Sequence, residues 1–332
     1  MFRLLSLLFL TLQPQPPGEP RLYIHENQIW VGRGRDLQQI TDDELHKSNL
    51  VLSPSADTFA YIAHCDSVGT EACPPTLVFR KLNGDLLYSF APLLEDSHPC
   101  LSVMAFEWID NNRVGLVCHV NPSISEYAVV SVHAAKVTAG YYGGPFSWSP
   151  DRRKLAYGGP VPHFAPPYIH SFYLCVDRRV IYPTAPVRHV NSEALFPRSP
   201  NSGGPNGCDI DYSPSVVELH GSTFMGIHEL FSDLGWAPNG TAIAFVEQTY
   251  DWEAPAPSAL NGGVEVNQRY QAVGVGLDGK SQAHILDGAT RQPYSVEWLF
   301  NERFEIRADS GTHWIFDRRP EGFTLRSSPE PK

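Results

Sequence analysis

The sequence predicts an all-β protein built from one repeated unit, and three observations support this prediction. Only 18% of the residues are charged, while 29 are proline and 26 are glycine, a composition that favours short strands joined by many turns. No stretch shows the sustained apolar period of 3.6 residues that marks an amphipathic helix. A ten-residue segment, WSPDRRKLAY at residues 148–157, also occurs a second time as WAPNGTAIAF at residues 236–245.

This segment has further copies along the chain. A third begins at Leu52 with LSPSADTFAY, and weaker ones begin at Trp108 with WIDNNRVGLV and at Trp298 with WLFNERFEIR. In each copy an aromatic residue or leucine ends one strand, a turn follows, and a strand with alternating apolar residues comes next, which predicts a hairpin. A third strand, and usually a polar turn and a fourth strand, follow each hairpin. The repeated unit is therefore a four-stranded antiparallel meander.

A single sheet of four strands cannot bury both of its faces, so such units are expected to stack radially as the blades of a β-propeller. The tryptophans of the repeat should pack between neighbouring sheets, and its prolines should form the turns. We therefore assign a structural role to the repeat anchors, which are Pro54, Trp108, Trp148, Pro150, Trp236, Pro238 and Trp298.

The pattern W-S-P-D-x-x-x-[LI]-A-[YF], followed by a strand and an Asn-Gly or Asp-Gly turn, resembles the repeat of the TolB-like, WD-repeat-related β-propellers. The resemblance covers residues 21–328, which we take as one propeller domain, and it implies much about fold and little about chemistry. Residues 21–41 are expected to form two or three strands without an anchor. In propellers of this kind such a unit often joins the C-terminal strands to close the ring. Five anchors and this unit favour six blades, with five as the alternative; the anchor-like segment 212–215 is taken as part of an insertion.

The N-terminus suggests export. One arginine and a leucine-rich run precede a proline-rich stretch within residues 1–20, which is the outline of a secretory signal, although no small-x-small cleavage site follows. We expect a periplasmic or extracellular protein with no later membrane span. A net charge of −11 argues against nucleic acid as a partner.

Six cysteines fit an oxidising compartment, and their spacing does not resemble a zinc site. Cys65 and Cys73 flank a polar segment, so a disulfide across this loop is plausible. The other four, Cys100, Cys118, Cys175 and Cys208, are consistent either with pairing or with ordinary burial.

The lengths of the connections indicate where a ligand would bind. The turns between first and second strands are short, whereas long connections are expected at 65–75, 119–126, 158–167 and 248–269, with an insertion at 184–232. In a meander all of the long group should emerge on one face, and long loops on a rigid scaffold are where binding usually resides. This face is predicted to bind a protein or another extracytoplasmic ligand.

Two loops and two strand ends supply candidate binding residues. Aromatic and acidic side chains suited to a sugar, an amine or a basic patch come together in the segment QTYDWEAPAP, and histidines stand between prolines in YGGPVPHFAPPYIH. The candidates are Tyr250, Asp251, Trp252, Glu253, His163, Tyr168, His170, His64 and His119. For each of them an ordinary structural role is the competing interpretation.

No linear motif of an enzyme is present. The sequence has no G-x-S-x-G elbow, no H-E-x-x-H zinc site, no P-loop and no dinucleotide fingerprint. We therefore predict a non-catalytic binding protein without catalytic residues, metal or cofactor. The alternative is a propeller enzyme of the lyase or glycosidase type, with histidines, carboxylates or a metal converging on the channel axis from several blades.

Overall fold

Every regular element in the described part of the chain is a β-strand. The computed structural model describes residues 21–33, 36–65, 74–94, 99–121, 124–159, 172–183, 187–189, 195–196, 208, 223–253, 264–320 and 322–327. The strands form six antiparallel sheets that follow one another in chain order, which is the arrangement of a six-bladed propeller. The all-β prediction and the favoured blade number are confirmed.

The first sheet is a blade of three strands, and the next three sheets are meanders of four. The N-terminal blade contains β1 (Arg21–His25), β2 (Gln28–Arg33) and β3 (Asp36–Gln39). Blade 1 contains β4 (His46–Leu52), β5 (Thr58–His64), β6 (Thr76–Lys81) and β7 (Leu86–Phe90). Blade 2 contains β8 (Val103–Asp110), β9 (Arg113–Asn121), β10 (Ile124–Ser131) and β11 (Lys136–Gly143). Blade 3 contains β12 (Phe146–Trp148), β13 (Leu155–Gly159), β14 (Tyr173–Val176) and β15 (Arg179–Tyr182).

Blade 4 departs from the unit of four strands. The insertion before it contributes β16 (Val187–His189), β17 (Leu195–Phe196) and β18 (Thr223–Leu230), which join β19 (Gly235–Trp236), β20 (Ala242–Glu253), β21 (Val264–Gly276) and β22 (Ser281–Ile285) in one sheet. Blade 5 is again regular, with β23 (Tyr294–Phe300), β24 (Arg303–Ala308), β25 (His313–Arg319) and β26 (Gly322–Ser327).

The expectation that the N-terminal strands join the C-terminal strands is wrong. Strands β1 to β3 pair only with one another, and β23 to β26 already form a complete sheet of their own. Blade 5 already has four strands, so its sheet has no place for an N-terminal strand. The N-terminal blade is held on blade 1 instead, where the backbone N–H of Lys47 donates to Asn27 Oδ1 at 3.0 Å.

Apolar side chains between consecutive blades form the core. Five clusters of buried residues each join one blade to the next, from the N-terminal blade through to blade 5. Pairs that represent the five interfaces in this order are Ile29 with Phe59, Phe79 with Leu116, Tyr127 with Tyr157, Leu174 with Phe245, and Val246 with Phe304. Among the described residues no such cluster joins blade 5 to the N-terminal blade.

The repeat tryptophans form hydrogen bonds from one blade to the one before it. The indole Nε1–H of Trp108 donates to the carbonyl oxygen of Val51 at 3.2 Å, that of Trp236 to Ser147 at 2.9 Å, and that of Trp298 to Gly235 at 2.9 Å. Each acceptor is the residue just before the first residue of the repeat segment in the preceding blade, which is Leu52, Trp148 or Trp236. Trp148 differs, because its indole donates to the hydroxyl of Tyr127 at 2.6 Å.

The turn after the anchor has the same geometry in the three strong copies of the repeat. In blade 1 the N–H of Ser53 donates to Thr58 O and the N–H of Ala56 donates to Ser53 O, and the same two bonds recur in blades 3 and 4. The fourth residue of the turn has a positive φ in each, 55° at Ala56, 56° at Arg152 and 65° at Gly240. The prolines Pro54, Pro150 and Pro238 are exposed at the second position, as a turn role requires.

The tryptophan bonds align equivalent ends of the blades, so the molecule has two distinct faces. The short-turn face carries the connections from first to second and from third to fourth strands. At the strong repeats the connections from first to second strands span 53–57, 149–154 and 237–241. The long-loop face carries the other connections.

Two connections on the long-loop face are shorter than the sequence predicts. The strands β9 and β10 leave only residues 122–123 between them rather than 119–126, and β20 and β21 leave 254–263 rather than 248–269. The alternating patterns of VEQTYDWE and VEVNQRY continue both strands of blade 4. The insertion at 184–232 likewise contains three strands. The anchor-like segment 212–215 lies outside the described residues.

Replacing Trp236 by phenylalanine should lower the free energy of unfolding by about 1–3 kcal/mol, because the partly buried carbonyl of Ser147 loses its donor. Trp148→Phe is the matched control, since the Tyr127 hydroxyl would still donate to Glu107 Oε1, now at 3.0 Å. Urea unfolding of both variants measures the difference. Equal losses would show that the bond between blades contributes nothing beyond the ring's packing.

Candidate functional site

Blade 4 carries an arm that extends from the long-loop face. Strand β20 has 12 residues and β21 has 13, whereas β13 and β14 of blade 3 have 5 and 4. Strand β18 pairs with the far half of β20, from Leu230 opposite Glu247 to Thr223 opposite Glu253. We define the arm as β16, β17 and β18 together with residues 247–253 and 264–271. It is the largest departure from the repeated unit among the described residues.

The predicted aromatic and acidic group lies within this arm, in a strand rather than in a loop. Tyr250 and Trp252 are buried, each 7% exposed. Asp251 accepts from the N–H of Gly226 at 2.9 Å through Oδ1 and from Asn267 Nδ2 at 2.9 Å through Oδ2. Tyr250, Asp251 and Trp252 therefore stabilise the arm from within, and Glu253 alone of the four is exposed at its tip.

A fully buried carboxylate stands at the base of the arm, on the side that faces blade 3. Glu247 accepts from His228 Nδ1 at 2.7 Å through one oxygen, and from the Tyr182 hydroxyl at 3.2 Å and the Gln271 amide through the other. Burial first, and then the charge of Glu247, raises the pKa of Tyr182, so the hydroxyl remains protonated and can donate. Three donors offset the cost of removing this carboxylate from water.

The same network orients the His228 imidazole. With Nδ1 directed at Glu247 Oε1, the side chain is still 18% exposed. A carboxylate that fixes one imidazole nitrogen leaves the other to accept a proton or bind a ligand. His228 was not among the candidates from the sequence, because its partner Glu247 is 19 residues away and no linear motif joins them.

A second polar network lies on the opposite side of β20, facing blade 5. The amide of the fully buried Gln248 donates to Glu265 Oε2 at 3.2 Å, and Arg291 Nη1 donates to the same oxygen at 2.6 Å. Gln248 Oε1 and the neighbouring Tyr270 hydroxyl are buried and have no hydrogen-bond partner among the described residues. The base of the arm thus holds polar groups on both sides of one strand.

The predicted histidine loop ends beside this site. His163, Tyr168 and His170 lie outside the described residues. The chain re-enters the described fold at Phe172, whose N–H donates to the carbonyl oxygen of His228 at 3.1 Å. The connection that carries the three candidates therefore returns against the base of the arm.

The remaining two candidates lie at long-loop ends of other blades. His64 at the end of β5 is half-buried, has Nδ1 3.1 Å from Cys65 O, and stacks on His46 at 5.5 Å. His119 is half-buried near the end of β9, where its N–H donates to Ser102 O at 2.9 Å. In the described ranges no three His, Cys, Asp or Glu side chains come together as a metal site would need.

Disulfide bonds join segments outside the regular strands to strands of the blades. Cys100, in the connection between blades 1 and 2, pairs with Cys118 of β9. Cys208, in the insertion, pairs with Cys175 of β14, and the Tyr173 hydroxyl donates to its carbonyl oxygen at 3.1 Å. Cys65 is also disulfide-bonded, while Cys73 lies outside the described residues. These bonds fasten segments of the long-loop face to the blades below them.

No helix in the described part of the chain is long and apolar enough to cross a membrane. No protein-family model matches the sequence, and neither does any curated protein sequence.

Several solved structures share the architecture. The β-propeller domain of the trilobed protease from Pyrococcus furiosus is 9% identical, with 94% of each chain covered and a TM-score of 0.33. TolB from Acinetobacter baumannii is 11% identical, with 95% of this chain and 62% of that chain covered and a TM-score of 0.29. The propeller domain of Myceliophteria thermophila Cps50 (Swd1) is 10% identical, with 95% and 88% covered and a TM-score of 0.33. At this identity the likeness is one of fold alone. The sheet topology itself shows the propeller, and in this respect the resemblance to TolB-like and WD-repeat-related propellers is confirmed.

Tyr182→Phe should lower the free energy of unfolding by about 1–3 kcal/mol, because the buried Glu247 carboxylate loses one of its donors. Tyr88→Phe is the control, since Tyr88 of β7 makes an aromatic contact with His133, and its hydroxyl has no hydrogen bond in the described structure. Urea unfolding at neutral pH gives both values. If the two variants lose the same stability, the hydroxyl does not support the carboxylate.

Proposed function

We propose that this chain is a non-catalytic, exported propeller that binds a protein or another ligand through its long-loop face. The observation that carries the proposal is the arm of blade 4. A blade needs only four strands to fill its place in the ring, yet three more strands and two lengthened ones extend this sheet on one face. Ordered structure beyond the needs of the fold is typical of a binding element placed on a rigid scaffold.

The tip of the arm offers a surface suited to a partner. Met225 at one edge is 38% exposed and Val264 is 57% exposed, and Glu253 pairs across the strands with Val264. Apolar side chains beside a carboxylate are the composition of a small protein interface with a polar rim. In this proposal Tyr250 and Trp252 support the surface from below, Glu253 belongs to its polar rim, and His163, Tyr168, His170, His64 and His119 are further contacts for a partner on the same face.

The supports beneath the arm favour binding without a large loss of entropy. Disulfides fasten the long-loop face, and the two polar networks fix β20 in relation to its neighbours. A surface that is ordered before binding loses less conformational freedom when it meets its partner.

Export is supported by the same disulfides and by the N-terminal sequence. Structural disulfides persist in oxidising compartments, and the leucine-rich run at residues 4–12 has the length of a signal segment. Fusion of residues 1–20 to a reporter that is active only outside the cytoplasm tests this part. A reporter that stays inactive would argue against export.

One observation favours the alternative of a propeller enzyme of the lyase or glycosidase type. His228 is oriented by a buried carboxylate as a general base would be. Turnover of an oligosaccharide panel that is lost in His228→Gln, with the fold retained, would support this alternative in place of binding alone.

The variant Met225→Ser/Val264→Ser should lower affinity for an envelope partner by roughly tenfold, because it removes two exposed apolar contacts from one interface. Retention of partners from envelope extract is compared by quantitative mass spectrometry among wild type, this variant and Leu86→Ser. Leu86 of β7 is the matched control, because it is 55% exposed and lies at the short-turn end of blade 1.

A partner lost from the double variant and kept by Leu86→Ser identifies the arm as the binding surface. If every retained protein is held equally by all three, the arm is not the binding surface.

A further inference from the structure

A groove with a volume of about 890 Å³ opens on the short-turn face, opposite the arm. Its walls are the turn of blade 4 at Asn239 and two turns of blade 5, one at Phe300–Arg303 and one at 317–320. We call it the Phe300 groove. All the residues that line it belong to the described structure, and none of them is among the candidates from the sequence.

The groove is built where blade 5 departs from the repeat. Two positions after the anchor the three strong copies have a turn proline, Pro54, Pro150 or Pro238, and blade 2 has Asp110 at the end of β8. Blade 5 has Phe300 there, with 66% of its surface exposed. A phenylalanine contributes nothing to a tight turn and, at this exposure, little to the core. Because Phe300 forms part of the groove wall, an apolar group of a ligand can pack against its ring.

Arginines surround this aromatic ring, and most of their partners are internal. Arg303 Nε donates to Asp317 Oδ1 at 2.8 Å, and Arg326 stands 3.6 Å from the other oxygen of the same carboxylate. Arg303 holds the pKa of Asp317 below its usual range, so the carboxylate is ionised and is shared between two guanidinium groups. The groove is lined by three guanidinium groups, those of Arg303, Arg318 and Arg319, and by two carboxylates, those of Glu302 and Asp317, so its lining carries a small positive charge in a chain whose net charge is −11.

Arg318 and Arg319 differ in the contacts that they make. Arg318 Nη1 donates to Thr241 Oγ1 at 2.8 Å, and its guanidinium lies 5.9 Å above the Phe323 ring, so it joins blades 4 and 5 at the base of the groove. Arg319 is exposed and forms no ion pair within the described residues, and its charge adds to those that lower the pKa of Asp317. It is the guanidinium that remains available to a ligand.

We infer that the Phe300 groove binds an acidic peptide segment of a partner protein, with a carboxylate on Arg319 and an apolar side chain against Phe300. A guanidinium pairs with a carboxylate in a fork of two hydrogen bonds, and an exposed aromatic ring is a common anchor at protein interfaces. Nucleic acid requires several free cations along one track, whereas Arg303 and Arg318 are already bound within the chain. The groove thus offers one guanidinium and one apolar surface to a ligand, beside the exposed carboxylate of Glu302.

Fluorescence anisotropy with the full chain and a labelled peptide of glutamates and leucines tests the inference. Arg319→Glu and Phe300→Ser should each weaken binding by roughly tenfold, as expected for the loss of a central contact. Arg153→Glu is the matched control, because Arg153 is an exposed arginine on a turn of the same face in blade 3. It should change the affinity less than about twofold, because Arg153 does not line the groove.

Binding by wild type with this order of variants supports the site. Three outcomes overturn it: no binding by wild type, equal weakening by Arg319→Glu and Arg153→Glu, or stronger competition by an oligonucleotide or inorganic phosphate than by unlabelled peptide. Met225→Ser/Val264→Ser should bind the peptide as wild type does, because the arm is on the opposite face. The inference can thus fail without the proposed function, and the proposed function can fail without it.

Discussion

The hydrogen bond from a repeat tryptophan to a backbone carbonyl of the preceding blade is the interaction on which the rest of this structure depends. Apolar contacts hold the blades together but tolerate sliding, since dispersion and burial have no direction. An indole donor that must reach one buried carbonyl fixes the offset between two sheets. Because the donors and acceptors sit at equivalent ends of the first strands, the bond also fixes which ends of the blades share a face at three of the five interfaces.

Because of this alignment, one face of the molecule carries short turns and the other carries connections of very different lengths. On the long-loop face blade 4 gains an arm, and the strand that supports it carries buried polar groups on both sides. Glu247 is stabilised there by an imidazole, a hydroxyl and an amide, and Glu265 by two amides and a guanidinium. Such networks contribute less stability than well-packed apolar residues would, so their presence at one place is consistent with a role beyond folding. On the short-turn face the departure is smaller, a single phenylalanine in place of a turn residue, and it coincides with the Phe300 groove.

Blade 5 and the N-terminal blade are the exception to the regular contacts between neighbours. Closure by a shared sheet would place residues from both ends of the chain in one set of strands, and the structure has two complete sheets instead. The N-terminal blade is attached through its contacts with blade 1, where the Lys47 ammonium is buried and bonded to Asp43 Oδ1 at 2.5 Å and to Leu45 O at 2.6 Å. Five apolar interfaces, rather than six, account for the packing between blades in the described residues.

The sequence by itself determined the all-β class, the five repeated units and the presence of N-terminal strands, expected as two or three. These features depend on residues that are close together in the sequence. The apolar period of two predicts a strand, and the Ser-Pro and Asn-Gly pairs predict the turns. The tertiary structure alone decided that β20 and β21 continue into an arm, that Tyr250 and Trp252 are buried, and that the N-terminal strands keep their own sheet. It also brought Tyr182 to Glu247 across 65 residues and His228 to the same carboxylate. The edge with which a strand pairs depends on the whole fold, and no local pattern specifies it. A polar segment such as 247–253 has the same composition whether it forms a loop or a strand, so composition alone does not distinguish the two.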